Sequence, residues 1–155
     1  MASPITTVRD EQQLISSLVS LMQQEQQFLV SADSDGLDKV TPQKSALVLQ
    51  LAALANQRHQ ALAAAGFAAG EAGMAAWLAS ATDAAAAAAW NDLLDQTRVA
   101  KELNRVNGML INKQMTNTQV VLNAMRTPAG GGEDGFYGPR GQTSVGGPSR
   151  RFVVG

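Results

Sequence analysis

One long segment constrains the fold of this chain more than any other feature. From Ser80 to Arg126 it contains no proline and a single glycine, Gly108. Ser80 and Asp83 have the spacing of a helix-capping box, so a helix is predicted to begin there. A helix of about 45 residues is about 68 Å long, roughly twice the length predicted for the first helix of the chain. A shorter hairpin therefore cannot cover this helix along its whole length.

The first part of the chain predicts that hairpin. Helix 1 is expected from about Val8 to about Val30, where apolar residues recur at helical spacing. Thr7 and Asp10 have the spacing of a capping box at its start. The sequence SADSDG at residues 31 to 36 is rich in residues that favour turns.

Helix 2 is expected over roughly Leu37 to Ala65. The pair Thr41-Pro42 leaves two interpretations open: the helix kinks there, or the main helix begins there. Gly66, Gly70 and Gly73 predict a loose connection, with a short helical piece around Trp77.

The last segment, Thr127 to Gly155, carries nine of the fourteen glycines and three of the five prolines, and it is expected to lack regular structure. The predicted fold is all-α: an antiparallel helical hairpin packed against a long third helix, followed by a flexible Gly/Pro-rich C-terminal tail. The predicted boundaries are a helical domain over residues 1–126 and a tail over 127–155.

Two charged pairs are predicted within the hairpin. If its turn is centred near position 34.5, facing residues have numbers that sum to about 69. Glu25 and Lys44 satisfy this sum, and so do Glu11 and Arg58. All four interrupt otherwise apolar stripes, so they are expected to form structural ion pairs that fix the register. The alternative is that they are solvated charges at the edge, contributing about 0 to 1 kcal/mol each.

Composition argues against several classes of function. The formal net charge is -1, which gives no electrostatic reason to expect nucleic acid as a partner. The chain has no cysteine, and no run is apolar and long enough to predict membrane insertion. The N-terminus lacks the pattern of a secretory signal, so a cytoplasmic location is expected.

No sequence motif predicts an enzyme. His59 is the only histidine, and Leu62 and Ala63 occupy the positions where phosphotransfer domains carry lysine and glycine. The stretch GGGEDGFYGPRG lacks the Gly-Lys-Ser/Thr ending of a phosphate-binding loop. No catalytic residue, cofactor or metal is therefore expected.

The second half of the long helix carries a broad apolar face with polar residues along its middle. A permanently buried core rarely keeps such a polar line, whereas a face that is covered only part of the time tolerates it. Methionines suit a surface that packs against different partners. The residues of this predicted client-binding face are Leu103, Asn107, Leu110, Ile111, Gln114, Met115, Thr118, Val121, Leu122 and Met125.

Three alternatives would bury this face permanently. The chain could fold back at Asn107-Gly108 to form a four-helix bundle, or a homodimer could cover the face. The long helix could also belong to a structural coiled-coil oligomer.

The segment KELNRVNGMLINKQMTNTQVVLNAM, followed by FYGPRGQ in the tail, resembles the FlgN family of flagellar export chaperones, as does the hairpin pattern of Glu25 and Lys44. The resemblance implies a cytoplasmic chaperone, not an enzyme. It would bind hook–filament junction proteins, prevent their premature assembly and deliver them to the flagellar type III export gate. The resemblance also implies that a tail tyrosine, here Tyr137, contacts that gate.

Overall fold

The computed structural model of the chain describes residues 2–126. This part contains four α-helices and no strand: α1 (Val8–Ser31), α2 (Ser34–Ala64), α3 (Glu71–Ala81) and α4 (Ala84–Arg126). The all-α class predicted from the sequence is confirmed. The fold divides after Ile111 into two units, and α4 contributes residues to both.

The start of α1 differs from the predicted capping box. Thr7 occupies the N-cap position, but its side chain caps no backbone N–H. Its hydroxyl instead donates a hydrogen bond of 2.8 Å to Oε2 of Glu11, one turn into the helix. A buried carboxylate is a strong hydrogen-bond acceptor. Thr7 therefore bonds to the Glu11 carboxylate and does not cap the helix.

The turn between α1 and α2 is shorter than the sequence predicted. Ala32 adopts a left-handed conformation with φ of 56°, which ends α1. Asp33 follows as the N-cap of α2, and its Oδ1 accepts the N–H of Gly36 at 2.9 Å. Because Asp33 caps the helix at once, α2 starts at Ser34 rather than near Leu37.

Pro42 lies inside α2 and does not begin it. The helix is continuous from Ser34 to Ala64. Proline has no N–H to donate to the Asp38 carbonyl one turn earlier, and side chains donate to the carbonyls on either side of it. The Thr41 hydroxyl donates to the Leu37 carbonyl at 2.8 Å, and the Gln43 amide donates to the Lys39 carbonyl at 3.0 Å.

The long helix was predicted to begin at Ser80, but in the structure Ser80 and Asp83 belong to different elements. Ser80 belongs to the short helix α3, and its hydroxyl donates to the Trp77 carbonyl at 2.7 Å. Asp83 caps α4 alone, accepting the N–H groups of Ala85 and Ala86 at 3.0 and 3.2 Å. From Ala84 the helix continues through Gly108 to Arg126, so the chain does not fold back at that glycine.

The core joins α1, α2 and the first part of α4. α1 and α2 pack along their length as the predicted hairpin, and α4 contributes Trp90, Leu93 and Ala100 to the same buried cluster. The other buried members are Val8, Ile15, Leu18, Met22, Leu62 and Met74. Within residues 2–126, no helix combines the length and apolarity that a membrane span requires.

Candidate partner-binding site

A bidentate ion pair lies at the open end of the hairpin, between Glu11 and Arg58. Both guanidinium–carboxylate distances are 3.0 Å, from Nε to Oε2 and from Nη2 to Oε1. The residues are only 3% and 7% exposed. The Arg58 guanidinium also lies 4.7 Å from the ring centroid of Trp90 on α4, a favourable cation–π distance. This pair and its contact with Trp90 therefore join α1, α2 and α4.

A second polar layer lies close to the turn of the hairpin. Lys44 Nζ donates to Oε1 and Oε2 of Glu25 at 3.0 and 3.3 Å, and to Oδ1 of Asn104 at 2.9 Å. Asn107 Nδ2 donates to Glu25 Oε1 at 2.7 Å and to the Met22 carbonyl at 2.9 Å. We call Glu25, Lys44, Asn104 and Asn107 the polar layer.

The structure thus brings together both pairs whose numbers sum to 69, and it adds a partner from α4 to each. The Arg58 guanidinium lies over the Trp90 ring, and Lys44 donates a hydrogen bond to Asn104. The two residue numbers in each of these pairs sum to 148. α4 is therefore antiparallel to α2 and parallel to α1. Gln12 supports this direction, because its side-chain amide donates to the Ala89 carbonyl at 2.8 Å.

The face of α4 that meets the hairpin repeats every seven residues, as in a coiled coil. Its buried members at this spacing are Ala86, Leu93, Ala100 and Asn107. Asn107 is fully buried, at 0% exposure. The sequence placed Asn107 in the middle of a client-binding face, whereas in the structure its side chain lies against α1.

The other predicted client-binding residues fall into two groups. Leu103, Leu110 and Gln114 are half-buried, so they are not fully available to a partner. The exposed group is Ile111, Met115, Thr118, Val121, Leu122 and Met125. We call the five that lie within Asn112–Arg126 the distal surface: Met115, Thr118, Val121, Leu122 and Met125.

The distal surface is strongly apolar for an exposed helix. Met125 is 76% exposed, Met115 65% and Val121 55%. Gln114 and Val121 lie seven and fourteen residues after Asn107, so they continue the period of the buried face. The segment Asn112–Arg126 carries Lys113 and Arg126 and contains no acidic residue.

The remaining exposed charges of α4 lie before Asn112, in the first unit of the fold. Arg105 donates hydrogen bonds to Glu102 at 3.1 and 2.6 Å. Its hydrogen bond and its positive charge lower the pKa of that exposed carboxyl. Arg98 and Asp95 form a similar exposed pair at 2.6 Å. These pairs lie within one helix and join it to nothing else.

His59 is half-buried on α2, and within residues 2–126 no three His, Cys, Asp or Glu side chains cluster so as to hold a metal ion. Tyr137, the predicted contact for the export gate, lies outside the described residues.

Sequence reasoning missed Asn104 and Trp90 as partners of the ion pairs. They are fourteen residues apart on α4, the same spacing that separates Glu11 from Glu25 on α1 and Lys44 from Arg58 on α2. That shared spacing was the available signal. It becomes informative only once the direction of α4 against the hairpin is known.

The family model described as FlgN protein matches residues 1–144. No curated protein matches the chain, and no solved structure matches it. The match covers the hairpin, the long helix and the beginning of the tail. The chain therefore belongs to the FlgN family, a family of flagellar chaperones.

Proposed function

We propose that this protein is a cytoplasmic export chaperone for flagellar hook–filament junction proteins. It binds them through the distal surface of α4, prevents their premature assembly and delivers them to the flagellar type III export gate. Membership of the FlgN family supports the class of function. The exposed apolar side chains of the distal surface are the single observation that supports the binding site.

The chemistry of the distal surface fits a helical client. Apolar residues repeating on one face of a helix are the pattern by which amphipathic helices recognise one another. Because Asn112–Arg126 has two basic side chains and no acidic one, we expect a client helix with carboxylates flanking its apolar face. A second copy of the same segment would bring only like charges together, which disfavours self-association.

Two neighbouring valines test this site. Val121 belongs to the distal surface and is 55% exposed, whereas Val120 is 44% exposed and points away from it, about 200° around the helix from Thr118. Val121→Asp should weaken binding of a purified hook–filament junction protein by about 100-fold or more, because it places an unpaired charge in an apolar interface. Val120→Asp should leave the affinity within about threefold of wild type, since it stays in water. Titration calorimetry measures both. Equal effects of the two variants would exclude the distal surface as the client site.

A structural coiled-coil oligomer is the competing function, and the seven-residue period of α4 favours it. Sedimentation velocity with and without the junction protein separates the two. A chaperone gains a one-to-one complex, whereas a structural oligomer keeps the size it had before the client was added.

We also propose that Tyr137 contributes to docking at the export gate, as the family resemblance implies. It is the only tyrosine of the chain. Tyr137→Ala should leave client affinity unchanged and weaken binding of the chaperone–client complex to the purified gate protein. Phe136→Ala, which alters the adjacent aromatic residue, is the matched variant. Unchanged gate affinity in Tyr137→Ala, with client bound, would remove the tyrosine from the mechanism.

A further inference from the structure

Two residues of the polar layer, Glu25 and Asn107, are unusual inside a bundle, whereas Lys44 is half-buried and Asn104 is exposed. Glu25 is 5% exposed and Asn107 is 0% exposed, and both lie at positions where the apolar period predicts a hydrophobic side chain. The carboxylate and the asparagine amide group are satisfied by one another, by Lys44 and by the Met22 carbonyl. Asn107 Oδ1, however, is buried without a hydrogen-bond partner. Such a layer costs folding free energy compared with a well-packed apolar one.

The layer joins the hairpin to α4 through hydrogen bonds that depend on the side chains of α4. Glu25 and Lys44 of the hairpin are completed by Asn104 and Asn107, which only α4 supplies. An apolar helix in the same place would leave the Lys44 ammonium with fewer acceptors and Glu25 Oε1 without the amide donor. In coiled coils, a single buried asparagine selects the partner and the number of strands in this way, at a cost in stability.

A chaperone for amphipathic helices needs this discrimination. Its hairpin presents an apolar groove of its own, which α4 fills with Leu93, Ala100 and Trp90. A client helix with a similar apolar face could compete with α4 for that groove, and so could α4 of a second copy.

We propose that the polar layer is a selectivity filter, which makes the hairpin accept its own α4 and reject apolar helices, whether from a client or from a second copy of the chain. The part of this proposal that concerns clients rests on the proposed function. The part that concerns the hairpin and α4 does not depend on it.

The test replaces the layer with apolar residues. The variant Glu25→Leu/Lys44→Met/Asn104→Leu/Asn107→Leu removes one negative and one positive charge, so the net charge stays the same. The probe is a synthetic amphipathic helix with leucines at seven-residue spacing and no flagellar sequence. Both proteins also carry Val121→Asp, so that the probe cannot bind through the distal surface.

We expect the apolar-layer variant to bind the probe at least tenfold more tightly than the protein with the intact layer. We also expect it to form additional, larger species in sedimentation velocity as the concentration rises. Its midpoint of urea unfolding should equal or exceed that of the intact protein. Probe binding and sedimentation that match the intact protein would overturn the proposal.

Thr97→Leu is the matched control. Thr97 lies on the same face of α4, but its hydroxyl donates to the Leu93 carbonyl of its own helix at 2.7 Å and makes no bond to the hairpin. It should change neither probe binding nor sedimentation. If it changes them as much as the layer variant does, added apolarity alone is the cause and the filter is wrong. Should the fourfold variant fail to fold, Asn107→Leu alone gives the same comparison, because Glu25 keeps Lys44 as its partner.

Because the probe is not a flagellar protein, this result is independent of the client. If the filter proposal is wrong, the proposal that the distal surface binds the client is not affected. If the Val121→Asp test contradicts the client site, the filter proposal is not affected, because it concerns only the hairpin and α4.

Discussion

Two segments of one helix behave differently although they share one pattern. In the first segment of α4, four residues at seven-residue spacing are buried: Ala86, Leu93, Ala100 and Asn107. In Asn112–Arg126 the same period continues with Gln114, which is half-buried, and Val121, which is exposed. Periodicity thus indicates which side of a helix is apolar. It does not indicate whether the protein itself covers that side, because coverage depends on how much chain is available to pack against it.

The strongest way to break this comparison is to place the same charge in both segments. Leu93 is 4% exposed and Val121 is 55% exposed. Leu93→Asp should lower the free energy of unfolding by about 4 kcal/mol or more, because it buries a carboxylate without a partner. Val121→Asp should change it by less than about 0.5 kcal/mol. Urea unfolding followed by circular dichroism measures both, and similar losses would mean that the distal surface is core.

A smaller but still large effect is expected at the buried ion pair. Glu11→Ala leaves the Arg58 guanidinium buried without its carboxylate, which should cost about 3 to 5 kcal/mol of unfolding free energy. The double variant Glu11→Leu/Arg58→Leu should recover most of that loss, because no charge is then left unpaired. A loss below about 1 kcal/mol in the single variant would show that the pair behaves as a solvated edge charge.

The smallest effect is expected for an exposed pair of α4. The side chains of Arg98 and Asp95 are 70% and 73% exposed, so Asp95→Ala should cost no more than about 1 kcal/mol. The same urea titration provides the measurement. A loss comparable to that of Glu11→Ala would contradict the idea that burial distinguishes the two kinds of pair.

Much of the hairpin could be predicted from local sequence. The apolar spacing of α1 gave its start at Val8, and the turn residues located its end within two residues. The pairing of charged residues followed from symmetry about the turn, because the position of the turn fixes which residues face each other in an antiparallel hairpin. The two pairs are Glu11–Arg58 and Glu25–Lys44. The details of capping could not be predicted. The Thr7 hydroxyl could accept a backbone N–H of the first turn or donate to a carboxylate, and in the structure it donates to Glu11.

The candidate site was predictable only in part. Its side of α4 follows from the apolar period, but Asn107 has the same phase as Val121 and yet is buried whereas Val121 is exposed. No local signal separates a buried asparagine from an exposed one. The separation needs the position of Met22 and Glu25, which lie more than eighty residues earlier in the chain.

The sequence by itself determined the helices, the period of their apolar faces and the partners within the hairpin, since these depend on neighbours a few residues away or on one short turn. The tertiary structure decided which part of the long apolar face is covered, how α4 completes each charged pair, and that Pro42 and Gly108 interrupt no helix. These outcomes depend on competition for burial and for hydrogen bonds between segments far apart in the chain. A local pattern carries no information about the result of that competition.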